Sequence, residues 1–146
     1  MADRIDPFRN FRFRVEIDGI IQAGFNEITM PDTTTDVVEY REGTDPSHMR
    51  KLSGLTKGGN LTLKWGTTSS MELMNWRQMV VDGKMEAARK KNMAIILMDE
   101  LGNPGARWEL EQVWPTKYKP ADMNAKSNDV AIESLELVHE GMKRVS

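Results

Sequence analysis

The sequence predicts a mainly β domain, a sandwich or barrel with one helix packed on it. Three observations carry that prediction. FRFRVEID (11–18) and NLTLKWG (60–66) alternate apolar and polar residues at the period of a half-buried strand. Glycine, proline, asparagine and aspartate punctuate the intervals between runs of this kind. Helical periodicity is confined to SSMELMNWRQMVVDG (69–83). At 146 residues the chain reads as a single domain, 1–146, long enough to bury a core.

In the first strand Phe11, Phe13, Val15 and Ile17 point one way, and Arg12, Arg14 and Glu16 the other. Gly19 is a turn, and IIQAGFNEI opens a second strand with Gly24 as a bulge. The run 33–41 is β-branched and aromatic and reads as a third. TDPSHMRKLSGLTKGG, with Pro46 and three glycines, reads as a long polar loop over about 42–59. Leu61, Leu63 and Trp65 then share one face of a strand.

The helix is placed at about 70–82. Ser69 and Glu72 have capping-box spacing, and Gly83 is a natural stop. Leu73, Met74, Trp76, Val80 and Val81 form an apolar arc interrupted by Arg77, so this helix packs on a sheet. After a basic linker, NMAIILMD (92–99) is a strand apolar on both faces, and DELGNPG is a hairpin turn. RWELEQVW returns with Trp108, Leu110 and Trp114 on one side and Arg107, Glu109 and Glu111 on the other. WPTKYKPADMNAKSN reads as a second long irregular stretch.

The final strand, in KSNDVAIESLELVHEG (126–141), breaks the rule of one apolar parity. Val130, Ile132 and Val138 are even, whereas Leu135 and Leu137 are odd. Either a bulge near Glu133 and Ser134 shifts the phase, or both faces are covered. A small sandwich with one helix has few places to hide two-sided strands: the helix covers part of a second face, or a partner subunit does.

The totals exclude several function classes. With 20 basic and 22 acidic residues the net charge is −2, so no global field draws the chain to nucleic acid or anionic membrane. There is no cysteine, hence no disulfide, thiolate metal site or cysteine nucleophile. The charged N-terminal stretch is not that of a secretion signal, and no apolar run approaches the roughly 20 residues that span a bilayer. Synthesis in the cytosol is expected.

Candidate chemistry is sparse. His48 and His139 read as plain polar histidines, and HEGMK is not a zinc-binding HExxH. GLTKGGN has its lysine before the glycines and is no phosphate loop. Of the eleven methionines most read as core filling, with Met49, Met123 and Met142 as adaptable contact surface. An enzyme would have to use Glu133, Glu136 and His139 as acid–base groups, in a monomer with a pocket. No cofactor or metal is expected.

The series EYREG, SGLTKGGNLTLKWG, ELMNWR, RWELEQVWPTKYK and NAKSNDVAIESLELVHEGM resembles, in order and over nearly the whole chain, the tail-tube proteins of contractile phages and injection particles. The resemblance implies a non-enzymatic structural subunit with two packed antiparallel sheets and a flanking helix. It implies hexameric rings stacked into a hollow tube, with sheath, baseplate, spike and tape-measure proteins as partners and DNA or protein cargo in the bore. The assembly would be part of a virion tail or an extracellular injection particle. The 42–59 loop and the chain termini would make ring-to-ring contacts, with Arg41, Asp45, Met49, Arg50, Lys51 and Leu52 as contact residues. Trp65, Trp76, Trp108 and Trp114 are read as core or helix–sheet packing. The alternative within the same fold lineage is a secretion-system hexameric ring that carries or chaperones effectors.

Overall fold

β7 (Pro104–Lys119) organises the fold, because its two halves belong to two different sheets. The computed structural model describes residues 12–18, 20, 24–40, 43, 50–126 and 130–146. In one sheet β1 (Phe13–Ile17) pairs antiparallel with β6 (Lys90–Met98), and β6 pairs with the first half of β7. β9 (Gly141–Arg144) lies on the other side of that half. In the other sheet the second half of β7 pairs with β8 (Ile132–Val138). β8 then pairs with β5 (Leu61–Gly66), and β5 with β2 (Phe25–Thr29). All of these pairings are antiparallel. A separate two-stranded sheet is formed by β3 (Thr33–Tyr40) and β4 (Arg50–Gly58).

The change of sheet has a local cause. Gln112 has φ 52°, a left-handed backbone that inserts a one-residue phase shift. Before it, Ala106 and Leu110 are buried; after it, Val113 and Pro115 are. Trp114 therefore does not share a face with Leu110, contrary to the alternation read across RWELEQVW. β8 and β9 follow the bend as one interrupted partner, from Trp114↔Val138 to Glu111↔Gly141. The Glu140 N–H donates to the Glu111 carbonyl at 2.9 Å across the corner.

The core lies between the sheets. Leu61 faces Leu137 and Leu63 faces Leu135 across the β5–β8 ladder, all four fully buried. Trp65, Met93, Ile95, Leu110 and Val113 complete the layer. β6 is buried on both faces from Met93 to Ile96, as its two-sided pattern predicts. β8 is different. Its register with β5 runs unbroken from Gly66↔Ile132 to Leu61↔Leu137, so no bulge lies at Glu133 or Ser134. Leu135 and Leu137 face inward, while on the other face Ile132 is exposed and Val138 half-buried, so that face is only partly covered in the single subunit.

α1 (Glu72–Val81) turns Leu73 and Trp76 into the core. The Trp76 indole donates to the Ala88 carbonyl of α2 (Met85–Ala88), a helix within the supposed basic linker. Met71 is the N-cap and no side chain caps it among the described residues, so Ser69 and Glu72 do not form the capping box their spacing suggests. Gly83, at φ 79°, ends α1 with a Schellman pair: Gly83 N–H to Val80 O and Lys84 N–H to Met79 O. Val81, assigned to the apolar arc, is exposed.

Two irregular stretches need correction. Residues 50–58 of the supposed 42–59 loop are strand β4, ordered by pairing with β3 from Thr33↔Gly58 to Tyr40↔Arg50. Trp114 to Lys119 of the supposed second loop continues β7. Pro115 is tolerated there because β7 has left β6 and keeps a strand on one side only, so its missing N–H is as harmless as on an edge.

Candidate functional site

β3 and β4 form an arm rather than part of the sandwich. Every residue of both strands is exposed. Threonines 33–35, Val37, Val38 and Tyr40 favour extended backbone, and cross-strand pairs hold β4 beside them. The Thr35 and Thr56 hydroxyls lie 2.9 Å apart, and Lys57 Nζ lies 3.6 Å from Asp36 Oδ2. The register slips between Thr35 and Val37, opposite Gly54 and Leu55, which twists the ribbon.

Its apolar content is high for a surface. Val38 pairs with Leu52, at 49% and 50% exposed, with Tyr40 next on the same face. Val37 and Leu55 are 62% and 64% exposed. A two-stranded ribbon is marginal in water, and an apolar one with two open edges is an aggregation hazard unless another chain covers it.

Of the residues assigned to contacts, Arg50, Lys51 and Leu52 lie at the start of β4, opposite Tyr40, Glu39 and Val38. Arg41, Asp45 and Met49 lie outside the described residues. Sequence reading did not single out the exposed apolar residues Val37, Val38, Tyr40 and Leu55. The available signal was the 33–41 run itself, which is strand-prone yet apolar on no single parity. Met123 is almost fully exposed, whereas Met142 packs against the core. The tryptophans divide: Trp65 and Trp76 are core, but Trp108 and Trp114 are half-buried. Arg144 lies over the Trp108 ring, 5.5 Å from its centroid.

The acid–base trio does not converge. Glu136 accepts from Asn60 Nδ2 at 2.6 Å, and His139 Nε2 lies 3.0 Å from the Gly59 carbonyl oxygen. Glu133 accepts a hydrogen bond from the Tyr118 hydroxyl. In the cleft lined by Glu16, Asp18, Asn92, Arg107 and Glu109, Arg107 is already engaged, 3.6 Å from Glu16 and 3.1 Å from Glu109. Among the described residues no cluster of acids and histidines could hold a metal, and no helix is long and apolar enough to cross a membrane.

Loss of hydration, then the hydrogen bond to Glu133 and its charge, push Tyr118 up from 10.0 to about 12. The fold favours the protonated phenol, so this contribution is whole below pH 10 and lost as pH rises toward 12. In a Tyr40→Phe protein, Tyr118 is the one remaining tyrosine. Its phenolate is expected to form with a midpoint near 12, and adding Glu133→Gln to lower it. Absorbance titration checks both.

The fold is that of solved injection-system components. The anti-feeding prophage tube-terminating cap structure matches with TM-score 0.81 and 23% identity, over 100% of this chain and 95% of that one. The sheath–tube complex of the PVC extracellular contractile injection system, in its extended state, matches with TM-score 0.79 and 24% identity, over 96% and 92%. Hcp1 from Flavobacterium johnsoniae is more distant, with TM-score 0.55 and 18% identity over 90% and 93%. No curated protein matches the chain in sequence. The sequence model of the T4-like virus tail tube protein gp19 matches residues 9–143, and the chain belongs to that family of structural, non-enzymatic proteins.

Proposed function

We propose that six copies of this chain close into a ring, that rings stack into the hollow inner tube of a contractile tail or injection particle, and that the β3–β4 arm makes the contact between rings. The arm is the observation that carries this reading: two strands with every residue exposed and apolar side chains on show. A closed ring also gives the free edges of β1 and β2 neighbours to meet. Assembly takes place in the bacterial cytoplasm. A sheath surrounds the tube, baseplate and spike close one end, a terminating cap closes the other, and a tape-measure protein sets its length.

The tube serves as a conduit for DNA or protein cargo. Six copies at −2 each bring −12 to every ring, which suits passage of a polyanion without sticking if the acids reach the bore. Negative-stain microscopy of the concentrated purified protein tests the reading. Rings or cylinders with a central hole are expected, and a strictly monomeric protein would overturn it.

A further inference from the structure

The arm rejoins the sandwich through Gly58 and Gly59, and both glycines are hemmed in. A Cβ on Gly58 would lie 2.5 Å from Cε1 and 2.8 Å from Nε2 of His139. The imidazole ring therefore sits against the backbone, with no room for a side chain. A Cβ on Gly59 would run into Asp32 Oδ1 and lie 3.3 Å from the Asp32 nitrogen. These are close approaches that only glycine allows.

Two hydrogen bonds tie the same point. The Gly59 N–H donates to the Asp32 carbonyl at 2.7 Å, which joins the arm's exit to its entry just before β3. His139 Nε2 faces the Gly59 carbonyl at 3.0 Å, so this nitrogen carries the proton and donates. Nδ1 is buried and has no partner among the described residues. His139 itself stands between β8 and β9, where the ladder with β7 bends at Gln112. One side chain thus joins the corner of the sandwich to the root of the arm.

We propose that His139 is a positioning residue for assembly: its ring, wedged against Gly58 and bonded to Gly59, fixes the angle at which the arm leaves the sandwich. The inference rests on the reading of the arm as a contact between copies. Eight residues of strand reach about 26 Å, so a swing of about 10° at the root carries the tip roughly 4–5 Å, the width of a side chain. An arm without its pin would miss its seat.

Two measurements test this. In His139→Ala, hydrogen exchange of amides in β4 and at Gly59 is expected to quicken by about tenfold, the worth of one net hydrogen bond, while β5 and the inward part of β8 keep their protection. Unchanged exchange at the arm, or uniform loosening of the whole sandwich, would overturn the proposal. Gly58→Ala must push the ring aside, and the sedimentable tube fraction is expected to fall by at least about tenfold. Adding His139→Ala removes the clash but leaves the arm without its pin, so the double variant is expected to stay as poor in tubes as Gly58→Ala. Normal assembly of Gly58→Ala, or of the double variant, would contradict the pin. If Gly58→Ala does not fold, the exchange result on His139→Ala decides. A Val38→Asp, Leu52→Asp protein that still forms tubes would sink the arm as the contact, separately from the exchange result that judges the pin.

Discussion

Replacing Val38 and Leu52 together by aspartate is expected to abolish tube formation while leaving the subunit folded. The two side chains face each other across the arm and are each about half exposed. Covering what remains open is worth about 1 kcal/mol apiece, so about 2 kcal/mol per arm. Six arms acting on one ring-to-ring step then supply about 12 kcal/mol, roughly nine powers of ten in the stacking constant. Aspartate also places charge where the neighbour offers apolar surface, which makes the loss larger. Neither residue belongs to the core, so the melting of the isolated subunit is expected to move by no more than about 0.5 kcal/mol. Sedimentation and thermal melting together check the separation. A large drop in subunit stability would mean that the arm supports the fold rather than the assembly.

Leu63→Ala is expected to do the reverse. Leu63 is fully buried against Leu135 at the centre of the β5–β8 ladder. Truncation removes three heavy atoms and leaves a cavity that strands held on both sides cannot close, at a cost of about 3 kcal/mol. For a chain of this size that lowers the melting temperature by about 10 °C. The measurement belongs at a concentration where the subunit is not assembled, because binding to neighbours raises apparent stability. An arm variant and a core variant with the same profile would contradict the division of labour between them.

Strands whose alternation survives without help were legible in the sequence. Val15 and Ile17 face inward from β1, and Leu61, Leu63 and Trp65 from β5, because one face of each meets the core and the other meets water. Burial of both faces of β6 also showed, as an unbroken apolar run. What was lost depends on partners far away in sequence. RKLSGLTKG has two glycines and three basic residues, and only its ladder with β3 makes it a strand. Trp114 was put on the wrong face because a positive φ at Gln112, a residue that rarely adopts one, leaves no mark in the residue pattern. Of the two causes offered for apolar residues of both parities in the last strand, the bulge is absent, and the second face is partly covered, with Val138 half-buried and Ile132 exposed.

The proposed contact site was half legible for the same reason. Leu52 could be singled out within a polar stretch, but its partner Val38 lay in a run that looked like an ordinary strand. Only the fold shows that every residue of this strand is exposed. His139 read as a plain polar residue because its neighbours, Gly58 and Gly59, stand about eighty positions away.

The most direct measurement is a cryo-electron-microscopy map of the assembled protein at side-chain resolution. The expected map shows stacked rings with each arm seated on a copy in the adjoining ring, and with Val38 and Leu52 shielded from solvent. Stacked rings whose arms project freely into solvent, or a concentrated sample holding only single subunits, would contradict the claim that this chain hides its apolar arm in its own neighbours.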